Sequence, residues 1–269
     1  MVTRRQFIDT LAAGTAALAI SSTAKSYAQI LGSNSRLNFA LIGLNGRAYA
    51  HLSALKANKA NVRISHVCDV ESNILQKFAS NTTQMMGEEP VAQRDFRNIL
   101  AIKEIDAITI ATPDHWHAPM AILGLQAGKH VYVEKPCSHN PAEGALLVAA
   151  KEKYGKLVQM GSQQRSSPHT IEIINKIQDG LIGRAYFAKT WYSNVRKSIG
   201  YGKIVPVPTT LDWDLFQGPA PRQEYKDNVQ PYNCTGSRHG ALESHSTMGH
   251  MRWMSRAGRL AWAIPIVSP

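Results

Sequence analysis

Residues 37–48 read LNFALIGLNGRA, an apolar run followed by a glycine-containing turn and the start of a second periodic segment. The run predicts a strand over Leu37–Ile42 and a helix over 47–58. In such a strand–turn–helix unit, Gly43 makes the tight turn. The next two fingerprint positions, often glycine, are Asn45 and Ala48, so the pattern is imperfect. Even so, the backbone N–H groups around Gly46 and Arg47 are expected to face an anion at the start of the helix.

The segments that follow alternate between short apolar strands and helices. This alternation predicts an α/β fold with a Rossmann-type parallel sheet, over residues 37–160, that is covered by helices on both faces. Further strands are expected at 62–68, 106–111, 131–133 and from 157, and further helices at 71–80, 119–127 and 142–154.

An acidic residue follows the second predicted strand. Asp69 comes 26 residues after Gly43. A carboxylate at this place can accept hydrogen bonds from both adenosine ribose hydroxyls and would repel a 2′-phosphate, which favours NAD over NADP. The alternative is a helix N-cap for the segment that starts at Glu71, and one carboxylate could serve both roles.

Two more motifs lie at predicted carboxyl ends of strands, where ligands bind in open α/β sheets. Thr112-Pro113-Asp114-His115-Trp116-His117 follows the strand over 106–111. Its histidines could bind a metal, although packing or helix capping beside a cofactor is favoured, because no carboxylate or cysteine set completes a metal site.

Val133-Glu134-Lys135-Pro136 closes the next strand. A lysine beside a nicotinamide could exchange a proton with a substrate hydroxyl while hydride leaves the carbon. The alternative is an exposed lysine in a turn before proline.

Composition narrows the function classes. The net charge of +11 on 269 residues is spread over the chain without a dense Lys/Arg run, so a nucleic-acid partner is not expected. The three cysteines, Cys68, Cys137 and Cys234, are far apart and show neither a disulfide framework nor metal spacing.

The first 28 residues predict a targeting signal. A twin-arginine pattern at 3–8 precedes an apolar stretch at 11–20, and Ser26-Tyr27-Ala28 supplies the small residues that a signal peptidase reads. The apolar stretch is too short for a bilayer of roughly 30 Å. We therefore expect export to the periplasm or beyond, with no membrane association after the signal is removed.

GLNGRA, CDVE, ATPDHWHAPMAI, AGKHVYVEKP and GSQQR, in this order and spacing, resemble the glucose-fructose oxidoreductase / inositol dehydrogenase (Gfo/Idh/MocA) family. RAYFAKTWY and LDWDLFQGPAPR resemble an exported branch of it. The resemblance covers residues 37–233. It implies a Rossmann domain and, from residue 161, a second α/β domain with an open, largely antiparallel sheet. It also implies NAD(P)-linked oxidation or reduction of a sugar or polyol carbon, or, in a related reaction, an NAD-retaining glycosidase.

The resemblance assigns roles to individual residues. Lys135 falls on the family's catalytic lysine. Trp191, Tyr192 and Trp213 are candidate sugar-stacking aromatics, with burial in a core as the equal alternative. With Asn45 of the turn, the implied NAD contacts are Gly43, Gly46, Arg47, Asp69, Thr112, Pro113, His117, Glu134 and Gln163.

The family pattern is not found after residue 233, where members continue with a segment like NGTHEVDVARW. Because Met and Trp have single codons, reading Met251–Met254 one base earlier permits His-Glu-Val-Asp, and the same shift from Ser246 permits NNGTHEVDVARWALGVGYP. We hypothesise a one-base loss near codon 234, which makes 234–269 an out-of-frame tail. The shortened chain is then expected to be unstable or inactive, and family-like oligomerisation is doubtful. Sequencing of codons 230–270 tests this, and an intact frame that encodes the tail contradicts it.

Overall fold

The computed structural model describes residues 36–187 and 202–229. Six strands within them form one sheet: Leu37–Ile42 (β1), Val62–Cys68 (β2), Val91–Gln93 (β3), Ala107–Ile110 (β4), His130–Glu134 (β5) and Val158–Gly161 (β6). The helices are Ala48–Ala57 (α1), Ser72–Met86 (α2), Phe96–Ala101 (α3), Asp114–Gln126 (α4), Pro141–Tyr154 (α5), Pro168–Gln178 (α6) and Trp213–Gln217 (α7), with a short 3-10 turn at Gln163–Ser166.

The sheet is parallel throughout, in the order β3-β2-β1-β4-β5-β6. Strand order reverses between β1 and β4, and in open α/β sheets this switch point is where a crevice for ligands opens at the carboxyl edge. The predicted Rossmann-type sheet is confirmed. No helix among the described residues is both long and apolar enough to cross a membrane.

The core has two layers because alternate strand residues face opposite sides of the sheet. Ala40 and Ile42 of β1 pack in the cluster that includes residues of α3, α4 and α5. Leu41, between them, packs in the cluster formed with α1 and α2. Strands β1 and β4 therefore read as nearly continuous apolar runs, as expected for a sheet covered on both faces.

Two features of this sheet differ from the sequence-based expectation. Strand β3 and helix α3 were not expected, since three and six residues are too short for a periodicity to stand out. Helix α4 begins at Asp114, five residues before the predicted start at Pro119. Pro119 inside the helix removes only one backbone N–H donor, so the helix can extend past it toward its N-terminus. Asp114 in the first turn complements the helix dipole. His115, Trp116 and His117 therefore lie on the helix itself.

Residues 202–229, called here the strap, pack against the carboxyl end of the sheet. Leu211 forms an antiparallel bridge with Glu71, and Ser72 N donates to Thr210 O at 3.0 Å. The backbone N–H of Asp212 donates to Val70 O at the same distance. The strap was expected to belong to the second domain, yet its described contacts are with the Rossmann sheet. Residues 188–201 lie outside the described residues, so the antiparallel sheet implied for the second domain stays a prediction.

The tight turn after β1 generates a stability prediction. Gly43 has a φ of 81°, and a Cβ there would lie 2.7 Å from the backbone of Ala111 and Thr112. Gly87 has a φ of 84° with nothing within 4 Å of such a Cβ, and it is therefore a matched control. Gly87→Ala is expected to cost about 1 kcal/mol from the left-handed backbone alone. Gly43→Ala is expected to cost about 2 kcal/mol more, since backbone atoms must move.

Urea unfolding of the two variants measures this difference. Equal losses of unfolding free energy in the two variants would contradict the close crossing of β1 and β4 at Gly43.

Candidate functional site

The turn after β1 brings the start of α1 to the switch point. Gly43 N donates to Cys68 O at 2.9 Å, which fixes the turn against the end of β2. Asn45 Oδ1 accepts from Gly46 N at 3.0 Å. Ala48, at the third fingerprint position, is buried, so a small residue is needed where the helix meets the strand. The predicted turn residues thus lie together at the start of a helix, where backbone N–H groups are suited to bind an anion.

Asp69 at the end of β2 is oriented by this turn. Its Oδ2 accepts from Leu44 N at 2.8 Å and its Oδ1 from Glu71 N at 3.0 Å. Burial raises the pKa of Asp69, against these N–H groups, which lower it. The N-cap of α2 is Glu71, whose carboxylate accepts from Ile74 N at 2.7 Å. The N-cap alternative for Asp69 is therefore wrong, and its carboxylate is held at the turn where a ribose is expected.

The end of β4 supplies the opposite wall of the crevice. Gly43 packs so closely against the backbone of Thr112 that no side chain fits at position 43. Thr112 Oγ1 is buried and has no hydrogen-bond partner among the described residues. A buried hydroxyl without a protein partner is costly, so it fits a contact with a bound dinucleotide. Pro113, the next residue, precedes the first residue of α4.

The histidines of the His-Trp-His motif bind carbonyl oxygens. His115 Nε2 lies 2.9 Å from Phe216 O, and Trp116 Nε1 donates to Leu215 O at 2.8 Å, so both hold the strap. His117 lies 2.6 Å (Nδ1) from Pro136 O and 2.9 Å (Nε2) from Thr112 O. These ring nitrogens are engaged by the backbone, and the packing interpretation of the motif replaces the metal alternative. No cluster of three potential metal ligands occurs among the residues that the structure describes.

Glu134, the last residue of β5, is the centre of a buried polar network. Its carboxylate accepts from Arg47 Nε at 2.7 Å and from Gln163 Nε2 at 2.8 and 3.0 Å. His51 Nε2 lies 2.9 Å from the same carboxylate, and since a carboxylate only accepts, this nitrogen carries the proton. Burial raises the pKa of Glu134, but the bonds from His51, Arg47 and Gln163 outweigh it and lower the pKa to about 2.

This network joins three of the predicted cofactor contacts. Arg47 and Gln163 both donate to Glu134, and the bond to Glu134 raises the pKa of Arg47. Gly161 makes room for them, because a Cβ there would lie 3.0 Å from Glu134 Oε1. His51 was not predicted. The available signal was its spacing, since residues four apart share one helix face and His51 follows Arg47 by one turn.

Lys135 follows Glu134 directly and is exposed at the carboxyl edge of the sheet. Its backbone continues through a cis peptide bond to Pro136. Glu134 on one side and the Pro136–His117 contact on the other fix the chain around it. Lys135 is thus an exposed lysine on an anchored backbone, which suits a group that exchanges a proton with a substrate.

Of the three candidate sugar-stacking aromatics, Trp213 lies among the described residues. Trp213 stacks on Phe216 with ring centroids 5.2 Å apart, meets Tyr225 edge-on and donates to Gln223 O. It belongs to the strap's own aromatic cluster, which favours the packing alternative. Trp191 and Tyr192 lie outside the described residues.

A second concavity of about 630 Å³ lies between the strap and the loop that follows β3. It is lined by Arg94, Asp95, Arg97, Trp116, Asp212, Asp214, Leu215, Gly218 and Arg222. Its arginines are engaged by the protein: Arg94 binds Val70 O and Thr210 O, Arg97 pairs with Asp95, and Arg222 binds Asp214 O. This groove is therefore a polar contact zone between strap and sheet.

Residues 37–162 match a family described as oxidoreductases with an NAD-binding Rossmann fold, Gfo/Idh/MocA. A glycosyl hydrolase family 109 protein of Saccharopolyspora erythraea is 29% identical over 167 residues, 61% of this chain and 36% of that protein. An alpha-N-acetylgalactosaminidase of Shewanella oneidensis is 24% identical over 155 residues, 56% of this chain and 34% of that protein. The chain thus spans about a third of the length of these relatives.

The fold is also similar to solved structures. Myo-inositol 2-dehydrogenase from Lactobacillus plantarum superposes with a TM-score of 0.50 and 24% identity, covering 55% of this chain and 43% of that one. At this identity the likeness concerns the fold.

The depressed pKa of Glu134 predicts a pH dependence of stability. A glutamate of ordinary pKa 4.5 that titrates near 2 in the native state stabilises the fold above pH 4.5 and loses that contribution as pH falls toward 2. The full contribution is roughly 3 kcal/mol. Glu134→Gln places an amide against three donors, so this variant is expected to be strongly destabilised at neutral pH. The difference in unfolding free energy between wild type and the variant should narrow below pH 4.5.

Denaturant unfolding at several pH values measures the gap, with exposed Glu152→Gln as the control for a lost carboxylate. A wild-type advantage over Glu134→Gln that stays constant down to pH 3 would show that the network does not hold the carboxylate charged.

Proposed function

We propose, from the membership of residues 37–162 in the Gfo/Idh/MocA family of NAD-binding oxidoreductases, that this chain derives from an enzyme that moves hydride to or from a sugar or polyol carbon. The observation that carries the proposal is the arrangement along one sheet edge. Asp69 and the Gly43 turn lie on the side suited to an adenosine and pyrophosphate, and Lys135 lies across the switch point.

NAD fits the residues at this edge. The backbone at Gly43 and Gly46 and the start of α1 would hold the pyrophosphate, and Asp69 would hold the adenosine ribose. Thr112 with Pro113 would form the opposite wall of the crevice. When bound, NAD supplies the hydride acceptor or donor. NAD is proposed over NADP because a 2′-phosphate would meet the charge of Asp69.

Lys135 would supply the proton chemistry. Its Nζ would take the proton from a substrate hydroxyl during oxidation and return it during reduction. Arg47, His51 and Gln163 would act on this step only through Glu134, because they hold the strand end from which Lys135 projects.

A second candidate is an NAD-retaining glycosidase. Such an enzyme oxidises a sugar hydroxyl transiently, eliminates the aglycone and reduces the product back. The names of the relatives favour this candidate, since they are a glycosyl hydrolase family 109 protein and an alpha-N-acetylgalactosaminidase. An inactive remnant is the third candidate, and a family-like oligomer and a second domain with an antiparallel sheet remain proposals for the longer protein.

We also propose export through the twin-arginine signal in residues 1–28, which lie outside the described residues. The twin-arginine route carries folded proteins, which suits one that captures NAD before export.

Product analysis separates the candidates. Purified chain, and a version carrying the restored reading frame, are incubated with NAD and a panel of polyols, free sugars and aryl glycosides. A dehydrogenase accumulates NADH, a glycosidase releases reducing sugar without net NADH, and a remnant does neither. Lys135→Met is expected to lower the rate of whichever reaction is observed by about 100-fold or more. Lys103 is an exposed lysine before β4, and Lys103→Met should leave this rate unchanged. Full activity without Lys135 would overturn the proposed mechanism.

Cofactor choice is tested by titration of NAD and NADP. Wild type is expected to bind NAD more tightly. Asp69→Ala removes a charged acceptor and should lower the affinity for NAD by about 10- to 100-fold. Asp69→Asn keeps an acceptor for Leu44 N without the charge, so it should narrow the preference over NADP with less damage to the turn. An unchanged NAD:NADP ratio in Asp69→Asn would refute the role of the carboxylate charge.

A further inference from the structure

We propose that His117 is a positioning residue that locks the Lys135–Pro136 segment to the end of β4, and that it does so as an imidazolium. Its ring is 2% exposed. Nδ1 lies 2.6 Å from Pro136 O and Nε2 lies 2.9 Å from Thr112 O. One ring thus spans from the proposed cofactor wall to the residue that follows the proposed proton-transfer lysine.

Both contacts together require two ring protons. A carbonyl oxygen only accepts hydrogen bonds, and a neutral imidazole donates through one nitrogen. In either neutral tautomer of His117, the other nitrogen would direct its lone pair at a carbonyl oxygen. A hydrogen bond from a charged donor is shorter than a neutral one, and the 2.6 Å contact to Pro136 is the shorter of the two.

The surroundings of His117 make this proton removable. Burial lowers the pKa of His117 below its ordinary value and outweighs the carbonyl oxygens of Pro136 and Thr112, which raise it. The charge of Glu134 also raises the pKa, and that of Lys135 lowers it. His115, two residues earlier on the same helix, adds a further positive charge near His117 when it is protonated. Deprotonation of His117 therefore costs one of the two contacts and frees the Lys135 segment from Thr112.

The effect of this release on dinucleotide binding rests on the proposed function, in which Lys135 faces a nicotinamide. The two hydrogen bonds of His117 do not involve Asp69 or Gly43, which lie at the adenosine half of the crevice. A change at His117 should therefore affect the nicotinamide half of a bound dinucleotide and spare the ADP-ribose half.

Two variants each keep one of the contacts. The amide of His117→Asn can replace Nδ1–H and bind Pro136 O, and that of His117→Gln can replace Nε2–H and bind Thr112 O. Both are neutral at every pH. With the full chain, we expect NADH to bind about tenfold more weakly to each variant while ADP-ribose binds within about twofold of wild type. His115→Gln is the matched control, since it lies on the same helix and contacts Phe216 O instead; it should leave the ratio of the two affinities unchanged.

The pH profile separates positioning from general destabilisation. Wild-type affinity for NADH relative to ADP-ribose should fall as pH rises through the titration of His117, and both variants should show a flat ratio. A flat wild-type ratio, or equal losses for NADH and ADP-ribose in the variants, would overturn the proposal.

Nuclear magnetic resonance of ¹⁵N-histidine-labelled wild type decides the protonation directly and needs neither variant. From the lowest pH at which the fold persists up to about pH 9, above the ordinary histidine range, both ring nitrogens of His117 should carry protons at the acid end and one should lose its proton as pH rises. A ring with one unprotonated nitrogen throughout would refute the imidazolium. If no dinucleotide binds at all, the proposed function fails, while this spectrum still decides the state of His117.

Discussion

The carboxylate of Glu134 is the constraint on which the carboxyl edge of this sheet depends. A buried charge is stable only when it is paired and fully hydrogen-bonded. Here the partners come from two places in the chain: Arg47 and His51 from the first turns of α1, and Gln163 from beyond the last strand. Because one side chain needs all of them, the turn after β1 and the ends of β5 and β6 are fixed relative to one another.

This constraint explains the small residue at the neighbouring strand end. Gly161 of β6 leaves the space that the carboxylate and Tyr132 occupy. On the other side of Lys135, His117 joins the backbone after β5 to the backbone after β4. Lys135 itself remains exposed between these two attachments. An exposed lysine on an immobilised backbone fits the proposed proton transfer, which requires a defined geometry.

Local patterns in the sequence were sufficient for five of the six strands and for the turn after β1. Apolar runs such as LNFALI predicted the buried strands, and Gly43 predicted the tight turn, because burial and backbone freedom leave their signatures within a few residues. The partners of Glu134 could not be predicted in this way. Arg47 precedes it by 87 residues, and only the closed sheet brings the two together. The same holds for the strap, where Arg94 and Thr210 are separated by 116 residues. Asp69 directly follows β2, as the sequence predicted, but its partner Leu44 was visible only in the folded turn.

Hydrogen exchange of the backbone amides, with and without saturating NAD, tests the central claim most directly. If the crevice between β1 and β4 holds a dinucleotide, protection should increase in the segments 43–48, 112–117 and 133–137. The polar groove, at 94–97 and 212–222, should exchange at the same rate in both states. Protection confined to that groove, or no protection at saturating NAD, would contradict an NAD site at the carboxyl edge of the sheet.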